Sequence, residues 1–466
     1  MLFSSATFIF IFLPIICVLY FLARNELRNY ILLIGSLLFY AWGEPRYLAI
    51  MLLTILTNYL GALAIERYPK RKSTSLILGI LVNLSFLFYF KYFNFAAETI
   101  NSLCKLDIQL IKVIMPIGIS FYTFQAMSYL VDVYRGEVAV QKDIYKLSLY
   151  VTLFPQLVAG PIVKYHDVAE QISNREVTFH KVTYGVKRFI IGLAKKMILA
   201  NSFGEIADSI FNQPVANFDT ATAWVGAIAY SLQLYFDFSG YSDMAIGLGA
   251  IFGFKFLENF NYPYISKSIT EFWRRWHISL STWFKEYLYI PLGGNRVSLQ
   301  RTYINLFIVF LATGIWHGAS WNFVIWGLWH GFFIIMERVT GWHKKEGGNV
   351  LNTIKHIYTI FIFVIGWVMF RSDNMSYAWD YLKNMFGLIT EHTLAYTIGH
   401  YVGTSDIILF GIAVICSIPI FRDILQITPA SKHIYSVINI WLLVLFTISV
   451  SLIAASTYNP FIYFRF

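Results

Sequence analysis

The sequence predicts an all-α, polytopic membrane protein, and three observations carry that prediction. Of its 466 residues, 57% are hydrophobic and 18% aromatic, while only 13% are charged. Apolar stretches long enough to cross a hydrocarbon core of about 30 Å recur from end to end. Lys and Arg gather in the short loops between them, so the net charge of +10 reads as inside-facing topology rather than as a nucleic-acid surface. At roughly 20 residues per span plus connections, the length suits about eleven to thirteen transmembrane or re-entrant helices in a single integral domain, residues 1–466.

The elements follow from the charges. Phe8 to Leu22 is apolar, is preceded by no Lys or Arg, and has no small-residue cleavage site before Arg24, so it is expected to remain as the first span. Arg24 and Arg28 follow that span, and Arg67, Lys70, Arg71 and Lys72 follow the third, which places both loops inside and the N-terminus outside. The basic stretch from Lys255 to Arg301 is too long and too polar for a plain hairpin, and is expected to be cytosolic surface with short, partly immersed helices. Arg338, Lys344, Lys345 and Lys355 mark a further inside loop. Ile357 to Phe370 then crosses outward, Ile407 to Phe421 returns, and Ile434 to Ala454 exits, which makes the C-terminus external too. Cys17, Cys104 and Cys416 are isolated from one another, with neither a disulfide framework nor a metal-ligand spacing. No metal is expected.

Chemistry concentrates in one place. Trp316-His317-Gly318 recurs as Trp329-His330-Gly331 inside a nearly uncharged run from Tyr303 to Met336. An imidazole at membrane depth is costly unless it is paired or hydrated, so intramembrane histidines are functional candidates. As one straight helix the run would reach about 50 Å, well beyond the hydrocarbon core, so it must tilt, break or fold back. Gly314, Gly318 and Gly327 are the available break points, and irregular backbone at depth is tolerated beside protein or a water-filled cavity. If the run stayed helical, His330 would lie about 20 Å beyond His317. It is read as a structural or supporting residue.

Several ordered motifs then carry a family resemblance: Pro116 to Gln125 (PIGISFYTFQ), Phe154 to Pro161 (FPQLVAGP), Asp237 to Asp243 (DFSGYSD), Glu271 to Trp283 (EFWRRWHISLSTW), Pro291 to Arg296 (PLGGNR) and the Trp-His-Gly run. Together they resemble the membrane-bound O-acyltransferase family, within it the bacterial alginate O-acetylase and peptidoglycan O-acetyltransferase branch. The resemblance implies helices around a central catalytic tunnel, His317 as the catalytic histidine and His277 as its upstream polar partner. An imidazole with pKa near 6.5 can accept a hydroxyl proton as the oxygen attacks a thioester. His277 could orient the acceptor, bind the thioester carbonyl or tune His317, and sequence leaves these open.

The resemblance further implies acetyl-CoA as donor substrate, with no bound cofactor. Lys267, Arg274, Arg275, Lys285 and Arg296 are expected to hold its phosphates, although the same charges satisfy topology alone and also suit an acidic carrier protein. Asp237, Ser239, Tyr241 and Asp243 are read either as cavity-lining groups after an apolar segment ending near Phe236 or as helix-terminal packing. The tail, residues 455–466, ends in Pro460-Phe-Ile-Tyr-Phe-Arg-Phe466 and is expected outside. It is similar to aromatic C-terminal tails of this branch, which implies Tyr463 as an acyl relay. A phenyl ester stays activated, because phenoxide, with pKa near 10, leaves more readily than an alkoxide.

The resulting expectation is a multi-pass enzyme of the bacterial cytoplasmic membrane, surrounded by lipid and working with an extracytoplasmic esterase-like partner. The chain has no Gly-x-Ser-x-Gly nucleophile elbow of its own. Alternatives are D-alanyl transfer to teichoic acid, a lipid acyltransferase with a lateral opening, and a transporter. The last calls for inverted repeats or charges within several spans, and neither is evident.

Overall fold

The computed structural model describes residues 1–389, 396–421 and 432–460, and among these the regular elements are helices joined by irregular segments, with an isolated bridge between Phe218 and Tyr396. The all-α prediction holds. Among the described residues, four helical stretches are long and apolar enough to cross a membrane on their own, Pro45–Arg67, Pro69–Cys104, Asn349–Arg371 and His433–Ala455. The chain divides into two compact units, residues 1–189 with 241–257, and residues 190–240 with 258–466.

In the first unit, α1 (Asn25–Gly43), α2 (Leu48–Arg67), α3 (Lys72–Leu87) and α4 (Ile119–Arg135) pack together. Pro45 and Pro69 each open a short turn between neighbouring helices, where a missing N–H costs nothing. Asn58 on α2 and Asn83 on α3 are fully buried and exchange amide hydrogen bonds at 2.9 and 3.1 Å. Such paired amides join helices where neither water nor a hydrophobic gradient can.

The second unit holds the histidines. Its helices include α5 (Asn201–Phe211), the first part of α6 (Thr220–Ile251), α7 (Ile269–Arg275), α8 (Ile278–Phe284), α9 (Leu299–His317), α10 (Trp321–Val339), α11 (Asn349–Arg371) and α12 (Lys432–Ala455). Large apolar side chains on α12 point outward, Trp441 and Leu443 both 63% exposed, as a lipid-facing surface requires. The segment from Lys255 to Arg301 does contain short helices, α7 and α8 among them.

The long histidine run folds back. α9 ends at His317, Gly318 is extended, and α10 begins at Trp321. Of the three glycines expected as break points only Gly318 is one: a Cβ there would lie 2.1 Å from the Phe323 ring. Gly314 and Gly327 instead sit inside their helices, where α9 and α10 touch. A Cβ on Gly314 would stand 2.4 Å from the Phe323 carbonyl oxygen, and one on Gly327 2.4 Å from that of Phe310. Small residues at a crossing let two backbones approach closely.

A second expectation is corrected on α6. Asp237, Ser239, Tyr241 and Asp243 do not follow the end of a helix but lie within one 32-residue helix. The run YFDFSGYSD continues the helix because cations of another helix neutralise its charges: Asp237 pairs with Lys196 at 2.7 Å and Asp243 with Arg188 at 2.6 Å.

Candidate active site

His277 is positioned by what surrounds α7. Ser268 accepts a hydrogen bond from the Glu271 backbone N–H, and the fully buried Glu337 on α10 accepts from Ile269 N and Thr270 N at 2.6 and 2.9 Å. Three orphan donors of a seven-residue helix are thereby satisfied. At its far end the chain turns through His277, which adopts the left-handed conformation, φ 45° and ψ 54°. For a residue with a Cβ this conformation costs about 1–2 kcal/mol, and such strain gathers at functional sites.

Asn259 fixes that turn. Its backbone carbonyl accepts from Ile278 N at 2.9 Å, and its side-chain oxygen accepts from Ser279 N at 3.1 Å and from Ser279 Oγ at 2.9 Å. The same oxygen lies 3.2 Å from His277 Nδ1. Because the Ser279 backbone N–H can only donate, the Asn259 atom facing it is the acceptor, so Nδ1 carries the proton in the neutral ring and Nε2 the lone pair. His277 lies outside the four candidate spans, and burial holds its imidazole below the ordinary pKa, which favours the neutral ring.

His317 closes the last turn of α9, 5% exposed. Its ring meets Trp326 edge-to-face at 4.8 Å and Phe370 at 5.3 Å. Trp316, the residue before it, reaches His277 at 6.1 Å, so one indole touches both histidines. His277 also stands edge-on to Phe238 at 4.6 Å. The two residues expected from sequence are therefore brought into a single aromatic-walled region of the second unit.

His330 joins them from the returning helix. The expectation of about 20 Å along one helix fails because the run breaks at Gly318, and Trp326 lies between the two rings, 4.8 Å from His317 and 5.2 Å from His330. His330 is fully buried, and neither ring nitrogen has a hydrogen-bond partner among the described residues. Its Nε2 lies 2.8 Å from where a Cβ on Gly366 would stand.

The five basic residues expected at the donor phosphates divide. Lys267, Arg274, Lys285 and Arg296 are exposed. Arg275 is engaged within the unit, 2.9 Å from Glu271 and donating to the Asn261 carbonyl at 3.1 Å. Tyr463 lies outside the described residues. In the first unit, Asp132, Glu137 and His166 bring ligand-type atoms within 4.8 Å of one another, but His166 bonds Asp132 at 3.0 Å and Arg135 stands 3.8 Å from Glu137, so each carboxylate already has a polar partner.

Sequence reasoning missed Asn259, Glu337 and Lys196. For Lys196 the signal was present: a lysine inside the apolar run from Phe189 to Leu199 falls under the same rule that singled out His317. Asn259 offered none, since a polar residue among aromatics is recognisable only once His277 is seen beside it.

Long apolar helices around buried histidines define a polytopic membrane enzyme, and the comparisons specify which kind. The profile of the membrane-bound O-acyltransferase family matches residues 36–372, and the chain belongs to that family. It is a membrane O-acyltransferase. A probable alginate O-acetylase of Pseudomonas aeruginosa is 45% identical over 415 residues, covering 87% of this chain and 79% of that protein. A peptidoglycan O-acetyltransferase of Helicobacter pylori is 38% identical over 423 residues, covering 83% and 80%. A teichoic acid D-alanyltransferase of Bacillus subtilis is 31% identical over 265 residues, covering 53% and 66%.

Proposed function

We propose that this enzyme takes acetyl from cytosolic acetyl-CoA and passes it across the bacterial cytoplasmic membrane for O-acetylation of an exported or surface glycan such as alginate or peptidoglycan. The observation that carries the proposal is the convergence of His277 and His317 on the Trp316 indole in a buried aromatic region. The O-acetylase relatives support acetyl as the group transferred. They match at higher identity, over more of the chain, than the D-alanyltransferase does.

In the proposed step the His317 imidazole takes the proton of the acceptor hydroxyl as its oxygen bonds to the thioester carbonyl carbon. The C–S bond then breaks, and the departing thiolate takes the proton from the imidazolium, so acid and base are restored. His277, with Nδ1 held by Asn259, presents Nε2 to substrate or to His317. The exposed Lys267, Arg274, Lys285 and Arg296 supply the charge that receives the donor phosphates. Arg275 contributes less, being held by Glu271.

The acceptor in this reading is Tyr463, whose phenyl acetate is activated enough to hand the group on. An extracytoplasmic esterase-like protein completes transfer to the polymer. Purified protein incubated with isotopically labelled acetyl-CoA is the test: label on the C-terminal peptide of the wild type, absent from His317→Ala and Tyr463→Phe, is expected. Undiminished labelling of Tyr463→Phe ends the relay reading.

A further inference from the structure

One helix of the second unit changes its winding where the C-terminal segment meets it. Residues Lys195–Ala200 form a π-turn that runs directly into α5, and the Asn201 backbone N–H donates to the Lys196 carbonyl five residues back. In a continuous α-helix those two side chains would stand about 140° apart. The π-turn inserts one residue and returns Lys196 to the face of Asn201. From there Asn201, Gly204 and Asp208 continue the stripe at i, i+3 and i+7.

Every member of this stripe meets residues 456–460. Lys196 Nζ donates to the Pro460 carbonyl, and Asn201 Nδ2 donates to the Tyr458 carbonyl at 3.3 Å. The Tyr458 hydroxyl donates to Asp208 Oδ2 at 2.7 Å. Gly204 leaves the space the phenol occupies, since a Cβ there would stand 2.8 Å from the Tyr458 oxygen. The segment has its own turn, Ser456 Oγ accepting from Tyr458 N at 3.0 Å.

The anchors are themselves held. Asp208 Oδ1 pairs at 2.6 Å with Arg371, whose guanidinium lies over the rings of Phe211 and Tyr230 at 5.3 and 6.0 Å. That pairing holds the carboxylate in place and aims its other oxygen at Tyr458. Lys196, 3% exposed, is oriented by Asp237, 1% exposed. Two of the three contacts read backbone carbonyls and one reads a phenol, so the stripe recognises the course of a chain more than its side chains.

We propose that Lys196, Asn201 and Asp208 form a dock for the C-terminal segment, and that they are positioning residues for acyl transfer, setting where the six residues after Pro460 begin. The docking stands on these contacts alone, whereas its consequence for transfer rests on the Tyr463 relay reading.

The test treats the full-length, detergent-purified protein with carboxypeptidase Y and follows trimming by intact mass. Wild-type trimming is expected to stall before Tyr458, and the Asn201→Ala/Tyr458→Phe double variant to lose residues 458–460 about tenfold faster. Tyr458→Phe alone, which leaves the Asp208–Arg371 pair intact, should fall between. Trimming of the double variant at the wild-type rate overturns the dock. Label transfer is measured on the same samples and on Tyr463→Phe: a lower kcat for the double variant with unchanged KM for acetyl-CoA supports the positioning role. If Tyr463→Phe is inactive and the double variant, its tail released, transfers at the wild-type rate, the positioning role falls while the relay stands. If Tyr463→Phe is itself fully active, the relay reading falls and the dock is decided by the trimming rates.

Discussion

Replacing Gly327 by Ala tests how closely the α9–α10 hairpin must fit. The added methyl would stand 2.4 Å from the Phe310 carbonyl oxygen and 2.9 Å from the Gly314 Cα. Ordinary van der Waals contact begins at 3.4 Å, and both obstructing atoms are backbone, so no side-chain rotation relieves the clash and the helices must separate by about 1 Å. Overpacking of this kind costs about 1–3 kcal/mol of stability. A catalytic cost comes with it, because Trp326 immediately precedes Gly327 and packs on His317 at 4.8 Å, while His317 lies one turn beyond Gly314. A displacement of about 1 Å at reacting groups lowers rate on the order of 100-fold. Initial rates of acetyl transfer in detergent, with thermal unfolding of the same samples, measure both effects. Gly327→Ala at the wild-type rate would refute the claim that this crossing sets the histidine geometry.

Other consequences follow from the same contacts. Asn259→Ala removes the acceptor that orients His277 and should lower transfer about 10–100-fold, while Asn259→Asp, which still accepts, should retain most activity; equal losses in transfer assays would count against the tautomer assignment. Lys196→Met and Asp237→Leu, made singly, each leave a buried charge uncompensated and should destabilise by about 3–5 kcal/mol, whereas the double variant recovers most of that; additive losses in unfolding measurements would contradict a paired site. Because burial lowers the His277 pKa, its ring stays neutral as pH falls through the ordinary imidazole range near 6.5 and gains a proton only further down. An acid limb in the rate profile near that value therefore belongs to another group, and His277→Gln should reduce the height of the profile without moving the limb.

The class of fold was readable because a bilayer imposes length and charge rules on every span, and these act locally. The Trp-His-Gly run was likewise local: its length exceeded the membrane, so it had to tilt, break or fold back, and the break falls at Gly318. The roles of Gly314 and Gly327 were not readable, since whether a glycine breaks a helix or admits a neighbour depends on what faces it. The acidic motif on α6 misled for a related reason. Asp237 and Asp243 look like the end of a helix until Lys196 and Arg188, more than 40 residues earlier in the chain, are seen neutralising them from another helix. The π-turn at Lys195–Ala200 has no composition of its own; it is visible only as a shift of register in three dimensions. The Asn259–His277 contact joins residues 18 apart across a left-handed turn that no propensity favours.

The central claim is that His317 activates the acceptor for cleavage of the donor thioester. It is tested most directly by single-turnover release of free CoA thiol from acetyl-CoA by wild type and His317→Ala, with thermal unfolding confirming that both are folded. The account predicts release slower by about 10²–10⁴-fold in the variant. Release within about threefold of wild type from a folded His317→Ala protein would contradict it.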